Sequence, residues 1–294
     1  MSRFFKAFMA GWLLAIGVSG RLAAGPIYVP NASFESPTTA YVSVAIADWQ
    51  KSPQPAWYDD SSGFLWVDET GLFLNTPVGA GNHIDNLEGD QAMWLFAVPT
   101  VAVFQDNFSA IFQAGQSYQL TIGVIGGGGG MLPGDTVDIS LYYRDHMSNM
   151  VTVANTTITN DPNKFPVTTH FVDFLTTLPT VKATDPWAGQ NIGIQLASTV
   201  SSNNEGGYWD LDNVRLVSFL SPSIISPVWI NGQFQFTLQS DPGASVEILC
   251  STNATLPFSK WSSLGMVTNL SGALPFMDTN AITGQRFYQA RQLK

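Results

Sequence analysis

From about Pro26 to Phe219 the chain is a series of short runs, alternating between apolar and polar residues or continuously apolar, broken by Gly, Pro, Asn and Asp. Alternation with a period of two places successive side chains on opposite faces of a strand, and no apolar stripe recurs at helical spacing. The pattern predicts strands at Gln91–Phe96, Ser117–Ile125, Val137–Tyr143, Val151–Val153, Thr168–Phe174, Asn191–Leu196 and Tyr208–Phe219. Their number and spacing fit an all-β fold, a sandwich of the jelly-roll kind. Leu220–Pro227 then sets two prolines among serines and interrupts the rhythm. This predicts a first domain at 25–220, a linker at 221–227 and a small C-terminal antiparallel β-sandwich at 228–294. The small unit has an Asn231-Gly232 turn, an Asp241-Pro242-Gly243 corner and strand patterns at Phe234–Leu238, Ser245–Cys250, Gly265–Thr268 and Arg286–Ala290.

The first residues read differently. A basic start, Met1–Lys6, precedes the apolar run Ala7–Val18 and small residues around Leu22–Gly25. That order is a secretory signal peptide at 1–24, cut near Ala24, because the run is shorter than the ~20 residues a spanning helix needs. The expectation is a secreted or cell-surface protein, or a periplasmic one, with no membrane span after cleavage.

Composition narrows the partners. The formal charge is −10, with 22 acidic residues against 12 basic ones. Phosphate binding needs clustered Lys and Arg, so no nucleic acid is expected. Cys250 stands alone and forms no intrachain disulfide. The three histidines, His83, His146 and His170, have no zinc-site spacing, and no Gly-x-Ser-x-Gly elbow occurs. The run Gly126–Gly130 lacks a following Gly-Lys-Ser/Thr and reads as a flexible connection between strands.

Asn31-Ala-Ser-Phe-Glu35, Asp48-Trp49, Gln91-Ala-Met-Trp-Leu95, Ala114–Leu120, Gly189–Ile194 and Asp212-Asn-Val-Arg-Leu216 form an ordered series. It resembles the galactose-binding-like jelly roll of carbohydrate-binding modules over roughly 26–219. The segment 228–294, with Pro242-Gly243, Trp261-Ser-Ser-Leu264 and Arg286-Phe-Tyr288, resembles the fibronectin- or immunoglobulin-like units that close many exported bacterial proteins. That second resemblance implies a spacer or attachment unit.

Two groups of residues carry candidate chemistry. Glu35 and Asp212 sit at the ends of the first and last strands of the large domain, with Asp210 on the same strand face as Asp212. Their carboxylates either cap nearby backbone or hold a hard cation; the resemblance implies the second, a structural Ca²⁺ on Glu35, Asp212 and Asp210. The long segment from Gln50 to Asp90 carries Trp57, Tyr58, Asp60 and Trp66, and Trp187 lies in another turn. Such rings and acids either stack on sugar rings and bond their hydroxyls, or fold into a local core. Trp49 and Trp94, inside strand patterns, read as core residues.

The expected function is therefore non-catalytic: an exported protein that binds carbohydrate or a cell-surface polysaccharide. Two alternatives stand beside it. One is a structural or adhesive surface protein with a cell-surface protein partner. The other is a secreted glycoside hydrolase, for which Asp59, Asp60, Asp68, Glu69 and Glu88 are the available carboxylates.

Overall fold

The computed structural model describes residues 25–203, 206–230, 233–281 and 285–293. The expected signal peptide and the Asn231-Gly232 turn lie outside them. Among the described residues, twelve strands build the first unit. They are β1 (Gly25–Ile27), β2 (Val42–Ser43), β3 (Gln50–Lys51), β4 (Thr70–Leu74), β5 (Gln91–Phe96), β6 (Ala102–Gln105), β7 (Ser117–Gly128), β8 (Thr136–Arg144), β9 (Met150–Thr159), β10 (Val172–Leu178), β11 (Gly193–Ser198) and β12 (Tyr208–Phe219). Six more build the second: β13 (Ser223–Ile230), β14 (Gln233–Gln239), β15 (Ala244–Ser251), β16 (Ser262–Asn269), β17 (Ala273–Asp278) and β18 (Phe287–Gln292).

The first unit is an all-β sandwich. One sheet runs β10-β7-β12-β5-β4-β2, with β1 added on β12, and the other runs β3-β6-β11-β8-β9. Alternation decides what lies between them. Tyr118, Leu120, Ile122 and Val124 of β7, Met93 and Leu95 of β5, and Trp209 and Leu211 of β12 point inward and are buried. Burying a side chain of this size contributes about 1.5–3 kcal/mol. On β12 the inward set changes from odd to even positions, because a bulge between Asp212 and Arg215 inserts a residue, with Asn213 at φ 56°, so that Val214 and Leu216 also face the core.

The seven-stranded sheet is apolar on its outer face too. Ile84, Ala92, Ile125 and Phe171 form a second buried cluster there, with Phe73 and Leu87 against it. Ile84 and Leu87 come from the loop that joins β4 to β5. A sheet face covered in this way can enclose a cavity.

The second unit pairs two three-stranded sheets, β13-β14-β17 and β16-β15-β18, around Phe236, Leu238, Val246, Ile248 and Ala290. Its first strand begins at Ser223, so most of the stretch 221–227 read as a linker is strand. The register shift in β13 between Ile225 and Val228 accommodates Pro227, which has no N–H to give the ladder. Among the described residues, no helix is long and apolar enough to cross a membrane.

Candidate active site

On the outer face of the seven-stranded sheet lies a cavity of about 670 Å³, within the range that holds a small organic ligand. Its floor comes from the outward positions of two paired strands. Met93 and Leu95 of β5 go to the core, so Trp94 and Phe96 face out; Trp209 and Leu211 of β12 go to the core, so Tyr208 and Asp210 face out. The β12–β5 register sets Tyr208 opposite Phe96 and Asp210 opposite Trp94. The Phe96 and Tyr208 rings meet edge to face at 5.8 Å, and Phe64 closes on Phe96 at 5.3 Å. Phe73, Ile84, Asn75, Thr76, Asn82 and Thr168 complete the walls.

Glycines make room for these rings. Gly71 of β4 is paired with Trp94, and a Cβ there would overlap the indole and the Ser43 carbonyl. Gly128 and Gly129 lie against Tyr208, where a Cβ on Gly129 would come within 2.9 Å of its ring. Of the run Gly126–Gly130, read as a flexible connection, Gly126–Gly128 end β7 and Gly127–Gly129 line the pocket. At Gly126, Gly128 and Gly129 an aromatic ring occupies the space a side chain would need, and Gly127 and Gly130 have positive φ.

Asp210 is the chemically distinctive member. Burial alone pushes its carboxyl up to about 7, and among the described residues no hydrogen bond compensates it. Tyr208 beside it is also raised, by burial and by the neighbouring Asp210 charge. A carboxyl near 7 is half protonated at neutrality, which suits a general acid or base.

A second carboxylate reaches the same cavity. Asp68 lies on the 3-10 turn Trp66–Glu69, and that turn is held from two sides. The Trp94 indole N–H donates to the Asp68 carbonyl at 3.0 Å. The Lys51 ammonium donates to the Val67 carbonyl at 2.7 Å and also to the Thr70 carbonyl. Burial lowers Lys51 to about 8, against the opposing pull of Asp68.

The residues singled out for sugar binding lie elsewhere. Trp57, Tyr58 and Trp66 form an edge-to-face aromatic cluster, but only Trp57 is exposed, at 52%. Trp66 is buried and donates its indole N–H to the Ser52 carbonyl, Tyr58 donates its hydroxyl to Glu69, and Asp60 accepts the Trp66 backbone N–H. Trp187 packs against the main core. None of the five lines the cavity. Trp94, read as core, does line it.

Glu35 and Asp212 do come together. Glu35 Oε1 accepts the backbone N–H groups of Asp90 and Gln91 at 2.9 and 2.8 Å, while Asp212 accepts those of Glu88 and Asn213 at 2.8 and 2.7 Å. Asp212 is fully buried and raised to about 7, by burial first, with Glu88 and Glu35 adding to it against its two N–H donors. The pair ties the turn before β5 to the ends of the first segment and of β12. The expected Ca²⁺ set of Glu35, Asp212 and Asp210 is not gathered, since Asp210 opens into the cavity. Among the described residues, no group of three or more His, Cys, Asp or Glu side chains is placed to hold a metal ion.

The site is therefore an aromatic-lined pocket holding one carboxyl raised by desolvation. The HpiC1-like family model, described as HpiC1 cyclase, matches residues 25–217, and the chain belongs to that family. A crystallised cyclase from Fischerella sp. TAU has the same fold at TM-score 0.50 and 22% identity, covering 67% of this chain and 98% of that one. A Fischerella sp. TAU cyclase in complex with 4-(1H-indol-3-yl)butan-2-one aligns at TM-score 0.48 and 22% identity, over 66% of this chain and 98% of that one. The carbohydrate-binding module TmCBM61, complexed with β-1,4-galactotriose, reaches TM-score 0.33 at 13% identity, over 64% and 96%. No curated protein matches the chain.

Membership of a cyclase family overturns the expectation of a non-catalytic carbohydrate-binding or adhesive protein. The physical reason is visible in the sheet. Its outer face carries an aromatic-lined pocket around the half-buried Asp210, whereas the aromatics expected to stack on sugars are largely spent on local packing.

Proposed function

We propose that the chain catalyses an acid-initiated ring closure of an apolar, aromatic substrate in the pocket on the outer sheet face. Asp210 acts as the general acid. Its O–H bond breaks as a C–H bond forms at a substrate π-carbon, and a second π-bond closes on the cation to form the ring C–C bond. Loss of a neighbouring proton to a pocket carboxylate then restores neutrality, so the product is an isomer of the substrate. The single observation that supports this most is the Asp210 carboxyl, raised to about 7 and set among Trp94, Phe96 and Tyr208. General-acid catalysis of this kind contributes about 10²–10⁴-fold. The aromatic rings of the lining favour the cationic state.

The pocket is lined by the first unit alone. We read the C-terminal sandwich as a fibronectin- or immunoglobulin-like spacer outside the chemistry, and the leader-like residues 1–24 as supporting export. The test is incubation of the protein with a panel of bicyclic aromatics bearing a pendant alkene, followed by chromatography for a new isomer of unchanged mass. Formation of such an isomer, lost in Asp210→Asn, supports the proposal. An isomer formed equally well by Asp210→Asn contradicts it.

A further inference from the structure

Building on the reading of this pocket as the active site, we infer that it is constructed to recognise positive charge on an apolar aromatic body, so that a stable ammonium of the right shape binds better than its neutral isostere.

The lining holds two carboxylates, Asp68 and Asp210, and no Lys, Arg or His. The cation near Asp68 is Lys51, which interacts electrostatically with it, donates its ammonium to the carbonyls of Val67 and Thr70 and does not line the cavity. Around Asp210, the titratable groups are Tyr208 and Asp212 on its own strand and Asp68, which lines the same cavity. His83, in the covering loop, has its Nδ1 bonded to the Thr76 carbonyl at 2.6 Å. None of these supplies a positive charge to Asp210. The lining also includes the rings of Trp94, Phe96, Tyr208, Phe64 and Phe73, whose faces attract cations.

A neutral apolar ligand would bury the ionised Asp210 without a partner, which is strongly unfavourable. A ligand with a cationic centre supplies that partner. The preference matches the proposed chemistry, because after proton donation Asp210 is a carboxylate facing a cation.

The experiment compares (naphthalen-2-ylmethyl)trimethylammonium with 2-neopentylnaphthalene, which differ in one atom and one charge. Binding to the full chain is followed by calorimetry and by tryptophan fluorescence. At about pH 8.5 the ammonium should bind about tenfold or more tighter, and near pH 5.5, with Asp210 protonated, its advantage should shrink to about threefold or less. Asp68→Asn and Asp210→Asn should each weaken the ammonium about threefold or more, and neither should weaken the neutral probe. Equal binding of both probes, or an advantage that survives in the double variant, overturns the inference while keeping the pocket as the site. Binding of neither probe overturns the inference and the assignment of the pocket together. The pH comparison uses the unaltered protein, so the test stands even if a variant fails to fold.

Discussion

Asp210 stands directly opposite Trp94 across the β12–β5 ladder, and both side chains turn away from the core that Trp209, Leu211, Met93 and Leu95 fill. That single cross-strand pair joins a desolvated acid to an aromatic face. The same indole donates to the Asp68 carbonyl at 3.0 Å, so it also fixes the turn carrying the second carboxylate.

Asp210→Asn should lower turnover by about 100-fold or more, as loss of a general acid does. It should also stabilise the protein at alkaline pH. A carboxyl held at about 7 in the fold, against an ordinary ~4, favours folding fully below about pH 4, and that contribution is lost as pH rises through about 7. Asparagine carries no charge to desolvate, so the variant should melt higher than the parent at about pH 8 and alike at about pH 4. Equal melting points at pH 8 would mean that Asp210 carries no burial penalty.

The rate itself should follow the protonated acid. Turnover should fall about tenfold per pH unit above about 7, where Asp210 is ionised. The check is a pH–rate profile at saturating substrate, and a rate flat to about pH 9 would assign the proton donation to another group.

Gly128→Ala places a methyl against the Tyr208 ring and 2.8 Å from the Tyr208 carbonyl oxygen. Forcing that contact should cost roughly 1–3 kcal/mol and displace the pocket wall, reducing turnover. Gly81→Ala, which meets nothing within 4 Å, is the control and should change neither. Urea unfolding and turnover of both variants decide this.

Lys51→Met keeps the aliphatic stem but leaves the Val67 and Thr70 carbonyls without their donor. The expected loss is ~1–3 kcal/mol in urea unfolding, with a raised KM as the Asp68 turn loosens. An unchanged KM would show that Trp94 alone holds the turn.

Glu35→Ala removes the acceptor for the Asp90 and Gln91 N–H groups. It should cost ~1–3 kcal/mol, read from chemical denaturation, with little effect on the pH dependence of turnover.

The alternation in Gln91–Phe96 and Tyr208–Phe219 is enough to place these strands and to say which residues share a face, and the all-β fold follows from many such runs. What alternation leaves open is what covers each face. The sequence thus shows Asp210 as a carboxylate sharing a face with Asp212, a placement that fits a cation site as well as an aromatic-lined pocket. Trp94, inside a strand pattern, reads as core for the same reason. A signal was present: Trp94, Phe96 and Tyr208 all fall on outward positions of adjacent strands, where a solvent-facing sheet would carry polar residues. Reading it requires the β12–β5 pairing, which joins segments more than a hundred residues apart in the chain. The sugar-stacking role given to Trp57, Tyr58 and Trp66 had no such check, because a loop's aromatics can fold inward and these largely do.

The most direct test of the central claim is a ¹³C NMR titration of the aspartate carboxyls of the full chain, with Asp210→Asn to assign the resonance. A midpoint for Asp210 at about 7 is the expected result. A midpoint in the ordinary carboxylate range, near ~4, would mean that the pocket is wet and that Asp210 is not its acid.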